Sequence, residues 1–339
     1  MKRFKKFIAV SLIAALSLTL SGCGGQATTA SKEPAKEAPK KIEYPTKAVT
    51  VIHGFKPGGG SDQLSQMVQP YLEKDLKVQF ANVYKTGADG AIAWKEIAHS
   101  TKPDGYTLST LLTKTILNSM INKDAGYTMA DFKPIAQVVW DPGILVVAPE
   151  SPFKTAQELI DYAKQNPGKL KMTNSGTGGD DWYTAVMIEK LSGTKMNHIP
   201  FEGDAPAWQA VAGGHADANS TNASVVTSLV KGNKLRALAV YAEKRLPELP
   251  DVPTLKEIGI NLVQGSARGY LAPKDTPQEI IDILANAIEK VTKEPEFIKT
   301  TKAGSLEIIF KKGAEYDKAL KDEEASMKKV IEEMGLVSK

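Results

Sequence analysis

The sequence predicts an α/β fold of two lobes, each built from strands that alternate with helices. Three observations lead there. Short β-rich runs alternate with helical patterns along most of the chain, which implies mostly parallel sheets covered on both faces. After an N-terminal stretch poor in apolar residues, roughly 295 residues remain, enough for two ordinary domains or one large one. Two glycine-rich turns, each leaving a strand and opening a helix, lie about 115 residues apart in different halves of the chain.

The N-terminus comes first. Lys2, Arg3, Lys5 and Lys6 precede an apolar run from Phe7 to Leu20, followed by Leu20-Ser21-Gly22-Cys23. A basic start, an apolar middle and small residues at the cut are the layout of a secretory signal. The run is about 14 residues, short of the ~20 that a spanning helix needs. The ending resembles the bacterial lipoprotein signal, in which the cysteine is lipidated. Cys23 is the only cysteine of the 339 residues, so it has no internal disulfide partner. Residues 1–22 are therefore expected to be a signal peptide and Cys23 a lipidation site. That places the protein outside the cytoplasm, tethered to a membrane. The four basic residues of 1–22 account for the whole net charge of +4. The mature part is balanced, which argues against a nucleic-acid partner. Residues 23–43 are rich in Gly, Ala, Thr, Ser, Lys, Glu and Pro. They cannot bury enough surface to offset chain entropy and read as a flexible tether with a reach on the order of 25 Å.

The folded part reads in order. Val49 to Ile52 is a strand. Residues 62–74 are a helix, with Leu64, Met67, Val68, Tyr71 and Leu72 on one face. Strands at 78–83 and 107–112 flank a helix over 88–99. Ile144 to Ala148 is an apolar run of buried-strand type, and helix 155–165 is stopped by Pro167-Gly168. Strand 170–173, helix 181–192, strand 196–199, helix 204–213, strand 235–240 and helix 278–293 follow. Residues 314–335 form a charged outer helix.

The chemistry lies in the two turns. Loop one is Phe55-Lys56-Pro57-Gly58-Gly59-Gly60-Ser61-Asp62, and loop two is Asn174-Ser175-Gly176-Thr177-Gly178-Gly179-Asp180-Asp181. Glycine lets a backbone turn sharply and approach a ligand. A helix N-terminus offers unpaired N–H groups and partial positive charge. Together they make an anion cradle at the carboxyl end of a strand. The plainer alternative is capping, by Ser61 or Asp62 in loop one and by Asp180 in loop two. Two such loops in different halves favour one cleft between two lobes, suited to a ligand with a carboxylate at each end. Asp180 and Asp181 also read as paired carboxylates for acid–base work, with capping again the simpler account. His53, ending the first strand, either faces the cleft or is satisfied at the lobe edge.

Other chemistries find little footing. Loop one lacks the lysine of a phosphate loop, and loop two misses the dinucleotide spacing. The four histidines, His53, His99, His198 and His215, are scattered, which argues against a metal site. Ser175 and Ser266 lack the glycines of a nucleophile elbow. No cofactor is expected.

From Tyr44-Pro45 to about Leu336 the chain resembles the solute receptors of tripartite tricarboxylate transporters, the Bug receptor family. The resemblance is carried by Phe55-x-x-Gly58-Gly59-x-x-Asp62, Gly87-Ala88-x-Gly90, Lys102-Pro103-Asp104-Gly105-Tyr106-Thr107-Leu108, Pro167-Gly168-Lys169-Leu170 and Pro200-Phe201-Glu202-Gly203. It continues through Gly213-Gly214-His215-Ala216-Asp217, Gly232 to Ala239 and Leu249 to Thr254. It implies a two-lobed clamshell of the periplasmic-binding-protein kind, type II, with lobe one at 44–147, lobe two at 148–264, and a return through lobe one with C-terminal helices at 265–339. It implies a monomer without catalysis, which binds a small carboxylate and hands it to a membrane permease of two subunits. The matching site positions are Phe55, Gly59 and Asp62, then Ser175, Thr177 and Gly178, then Phe201, Gly203 and Asp217; Gly58, Gly60, Ser61, Gly179 and Asp180 belong to the same loops. Departures stand out. Gly179-Asp180-Asp181-Trp182 replaces a segment in which many members have Ser or Thr and then Ser-His. Phe201 replaces the common Tyr and Glu202 the usual Lys. Lys56 and Arg268 add positive charge, and Arg268 could pair with the acidic step of loop two. A lipoprotein enzyme using Asp180, Asp181 or Ser175, and a sensor that signals without transport, are the competing readings.

Overall fold

Residues 42–333 and 335–336 are described by a computed structural model. The signal segment 1–22, Cys23 and tether residues 23–41 lie outside the described residues.

Strand β1 (Val49–His53) runs into loop one and helix α1 (Gly60–Leu76). Leu64, Val68 and Leu72 recur every fourth residue of α1 and are buried in one core with Val49 and Val51. Strand β2 (Phe80–Tyr84), helix α2 (Ala91–His99) and strand β3 (Thr107–Leu112) follow. Helix α3 (Thr113–Ile121) leaves β3 with no intervening loop. Strand β4 (Phe132–Val147) then leads to helix α4 (Ala156–Gln165), whose N-cap Thr155 accepts a hydrogen bond from the Glu158 amide at 3.2 Å. Next come strand β5 (Lys171–Asn174), loop two, helix α5 (Asp180–Ser192), strand β6 (Asn197–Pro200) and helix α6 (Asp204–Ala212). Strand β7 (Ala218–Asn222), helix α7 (Ala223–Lys231) and strand β8 (Arg236–Val240) complete this half. Strand β9 (Gly265–Pro273) returns, followed by helices α8 (Gln278–Val291) and α9 (Pro295–Ala303), strand β10 (Glu307–Lys312) and helix α10 (Gly313–Glu333).

The strands order as β2-β1-β3-β9-β4-β7-β5-β6, with β8 and β10 also on β4. The sheet falls into two parts because β4 changes partners midway. Phe132 to Pro142 pairs with β9, and Gly143 to Val147 pairs with β7 and β8. The change falls at Asp141-Pro142-Gly143. Gly143 leaves no room for a side chain, since a Cβ there would meet the Tyr241 ring at 2.2 Å. Beyond it the side chains alternate between cores. Leu145 and Val147 join Leu159, Leu170 and Ile188, whereas Ile144 and Val146 join Val211, Val226 and Leu235.

The sheets are mixed, not mostly parallel. β1 pairs in parallel with β2 and β3, and β5 with β6 and β7. Every pairing of β4 and β9 described is antiparallel. The parallel part is what alternating strands and helices produce. The antiparallel part comes from the two long crossover strands. Pro134 and Pro142 interrupt the strand pattern of β4, and its register shifts between Pro134 and Ala136. Only its apolar second half reads as strand from sequence.

Candidate functional site

The two glycine loops adopt the same backbone. Gly58 and Gly178 take φ of +90° and +81°, a region that favours glycine. Gly59 (φ −77°, ψ 168°) and Gly179 (φ −80°, ψ 162°) are the N-caps of α1 and α5, and neither helix has a side-chain cap. Ser61, Asp62 and Asp180 thus sit inside the first helical turn, so capping is not their role. Neither N-cap residue caps its helix with a side chain, although in α5 the Trp182 amide donates to Asp181 Oδ1 at 2.8 Å.

The loops frame a cavity of about 30 Å³, lined also by Phe55, Lys114, Asp204, Asn222, Ser266 and Arg268. That volume suits a water or two; a larger solute enters only when the walls part. Arg268, on β9, is 3 % exposed. Its Nη2 donates to Asp141 Oδ2 at 2.5 Å and to Asn222 Oδ1 at 3.0 Å. The guanidinium packs against Gly60, where a Cβ would come within 1.4 Å of Nη1. Its Nε is buried without a hydrogen-bond partner among the described residues. Asp141 also accepts from the Ser224 amide at 3.1 Å and its hydroxyl at 2.5 Å. Burial nevertheless pushes its carboxyl up to about 6, against the pull of Arg268 and Ser224.

Lys114, on the first turn of α3, ties the loops together. Its Nζ donates to the Ser175 carbonyl at 2.8 Å, lies 3.6 Å from Asp89 and sits 4.7 Å above the Phe55 ring centre. At the outer edge Lys56 and Glu202 approach to 3.5 Å, both well exposed.

The carboxylates differ sharply. Asp62 accepts from the Gly58 amide and Gln66 at 2.8 Å each, and from the Tyr84 hydroxyl at 2.6 Å. Burial pushes its carboxyl up, but these donors outweigh that and hold it below the usual carboxylate value. Asp181 accepts from the Ser175 amide at 2.5 Å and the Trp182 amide at 2.8 Å. Burial, with Asp180 alongside, pushes it up to about 7. Asp180 faces the cavity, with Oδ2 accepting from Asn222 at 2.9 Å. Asp204 accepts weakly from Thr221 at 3.4 Å, and burial raises its pKa although Arg268 pulls it down.

Of the residues singled out from sequence, Phe55, Gly59, Gly60, Ser61, Ser175, Asp180, Gly203 and Arg268 line the cavity. Gly58, Gly178 and Gly179 shape the loops from behind, and Thr177 is exposed. Phe201 contributes a backbone tie, its amide donating to the Asn174 carbonyl at 3.0 Å. Asp62 turns inward to close loop one. Asp217 lies elsewhere: it accepts from the Lys171 amide at 2.7 Å, at the opposite end of β5 from loop two. His53 hydrogen-bonds Asn82 at 2.9 Å and stacks on Tyr84; burial lowers its pKa despite Asn82 and Asp62. Lys114, Asp204, Asn222 and Ser266 were not anticipated. Asn222 ends the polar strand Ala218–Asn222, which shows no apolar alternation though all five residues are buried.

A larger cavity of about 950 Å³ lies between residues 242–248, β10 and α10; Tyr183 and Ala267 also line it, but no residue of either loop does. Among the described residues no group of three or more His, Cys, Asp or Glu could hold a metal ion, and no helix is long and apolar enough to cross a membrane.

Residues 66–336 match the family described as "Tripartite tricarboxylate transporter family receptor". A Cupriavidus necator protein, "UPF0065 protein in gbd 5'region", is 30% identical over 294 residues, covering 87% of this chain and 89% of that one. The periplasmic binding protein BugD superposes with a TM-score of 0.82 at 26% identity, covering 87% of this chain and 100% of that one. An R. palustris protein solved with adipate superposes with a TM-score of 0.83 at 25% identity, over 87% and 99% of the two chains.

Proposed function

The chain belongs to the tripartite tricarboxylate transporter receptor family, and on that premise we propose that it captures a small carboxylate-bearing solute between its lobes and delivers it to a two-subunit membrane permease. Lobe one comprises residues 44–147 and 265–339, and lobe two residues 148–264. Residues 1–22 direct export, lipidated Cys23 holds the protein on the outer face of the membrane as a monomer, and the solute is bound without chemical change. Gly59, Gly60, Ser61, Ser175, Gly203 and Arg268 form the contact surface, with Phe55 as its apolar wall.

One observation carries this reading. The Arg268 guanidinium lies against the uncapped N-terminus of α1, with Gly60 between them. Asp141 offsets part of the guanidinium charge. The buried Nε nevertheless has no hydrogen-bond partner among the described residues, and the helix start adds partial positive charge, so a further anion between them is favourable. A carboxylate supplies that anion, accepting from both the guanidinium and the backbone N–H groups. The adipate carried by the R. palustris relative supports the same chemistry. Titration calorimetry of the mature chain against mono-, di- and tricarboxylic acids, amino acids and neutral sugars tests it. At least one carboxylate is expected to bind, and Arg268→Met to abolish that binding. Binding of sugars alone overturns the proposal.

A further inference from the structure

Loop two presents the opposite problem from loop one. Asp180 is 7 % exposed and faces the cavity, and its described partner is the neutral amide of Asn222 at 2.9 Å. Asp204 faces the same cavity, and its described partner is the Thr221 hydroxyl at 3.4 Å. Among the described residues no lysine, arginine or histidine nitrogen lies within 4.0 Å of either carboxylate. The two cavity cations are engaged elsewhere: Arg268 with Asp141 at 2.5 Å, and Lys114 with the Ser175 carbonyl and Asp89. Asp181 adds a further carboxyl directly behind the wall, buried at 3 % exposure.

A plain dicarboxylate would bring two negative charges to a wall whose two cations, Lys114 and Arg268, are already engaged and whose two carboxylates, Asp180 and Asp204, have no cation within 4.0 Å among the described residues. Its first carboxylate has a place at Arg268 and the start of α1. Its second would meet Asp180 and Asp204 with little water to screen them. The carboxylates are not gathered as a metal cage. An organic ammonium needs only hydrogen-bond acceptors spread around it, and these two side chains supply them.

We infer that the solute carries an ammonium group as well as a carboxylate, the carboxylate held at Arg268 and Gly60 and the ammonium between Asp180 and Asp204. This rests on the reading of the cleft as the solute site. It makes loop two a selector: the unpaired carboxylates reject the acid that lacks the amine.

The test uses matched acids that differ by one amino group: succinate against aspartate, glutarate against glutamate, and butyrate against γ-aminobutyrate. Thermal shift and calorimetry are run on the mature chain and on Asp180→Asn and Asp204→Asn, isosteric changes checked for folding by circular dichroism. In the parent chain an amino-bearing member is expected to bind about 30-fold or more tighter than its deaminated partner, the scale of a buried charge pair. Each Asn variant is expected to shrink that preference to a few-fold while keeping carboxylate binding. Equal or tighter binding of the deaminated acids by the parent chain overturns this inference and leaves the carboxylate receptor standing. A preference that survives both Asn variants also overturns it. If no acid of either kind shifts the melting temperature, the carboxylate reading falls and the inference with it.

Discussion

Loop one and loop two share a backbone and differ in charge. Both place a positive-φ glycine, then an extended glycine N-cap, then a helix start aimed at one cavity. The first helical residue is Gly60 in one and Asp180 in the other. Gly60 makes room for a guanidinium, so the N-terminus of α1 faces a cation and calls for an anion from outside. Asp180 and Asp181 give the N-terminus of α5 its own negative charge. Glycine geometry therefore reports that a loop can approach a ligand, and the first side chain after it decides which charge the ligand brings.

The largest expected effect breaks the comparison at loop one. Arg268→Met leaves Asp141 buried without its cation, costing about 3–5 kcal/mol of stability by urea denaturation and abolishing carboxylate binding. Adding Asp141→Asn is expected to restore much of the stability and none of the binding. Failure of the second change to rescue would mean that Arg268 acts through packing. Gly60→Ala is next. Its methyl displaces the guanidinium and costs about 1–3 kcal/mol, with a loss of carboxylate affinity close to that of Arg268→Met in calorimetry. Full affinity in Gly60→Ala would detach the guanidinium from the binding surface.

The third prediction sharpens the contrast in pH. Asp181 titrates near 7 in the fold, above the ordinary unfolded value near 4. Between those values the folded state binds more protons, so its contribution to stability is greatest in acid and falls as pH rises from about 4 to about 7. Asp62 has the opposite sign. Its folded pKa is depressed, so its contribution is present above pH 4 and is lost as pH falls through the lower folded value. Melting temperatures across pH 3 to 8 should show a shallower fall toward neutrality in Asp181→Asn, by on the order of 2 kcal/mol. Asp62→Asn should instead lose part of the drop below pH 4. Identical profiles for both variants would erase the electrostatic difference between the loops. The smallest effect is at the exposed edge, where Glu202→Gln is expected to change stability by under about 0.5 kcal/mol; a larger change in denaturation would make the Lys56 pair a latch.

The backbone of the loops was legible because two glycine runs each join a strand to a helix, although one such run alone is more often structural. Arg268 was legible as an unusual charge beside them. Lys114, Asp204 and Asn222 were not, because their elements carry no apolar period at those positions. After Ala218 the strand is polar, Asn219 to Asn222, and still buried, since its side chains bind neighbouring backbone and the cavity wall: Asn219 donates to the Thr173 carbonyl at 3.0 Å and Ser220 to the Asp181 carbonyl at 2.9 Å. A polar run of that kind looks like a loop until its partners are known. Asp217 shows the converse error. A shared motif placed it among site residues, but its carboxylate serves a backbone amide at the far end of β5. The crossover strands were half-read for a local reason, the prolines of β4, and their antiparallel direction depends on partners far away in sequence.

The return of β9 between β3 and β4 also sets a timetable. Ser109 pairs with Leu271, and Trp140 with Ala267. A chain emerging from its N-terminus exposes β3 and the first half of β4 long before their shared neighbour exists. The half built on β5, β6, β7 and β8 has all its strands earlier, within one continuous stretch. Non-local pairing of this kind is slow, and an open strand edge invites pairing with other chains. That half is thus free to assemble first, while the edge of β3 remains the vulnerable surface until residue 273 is available.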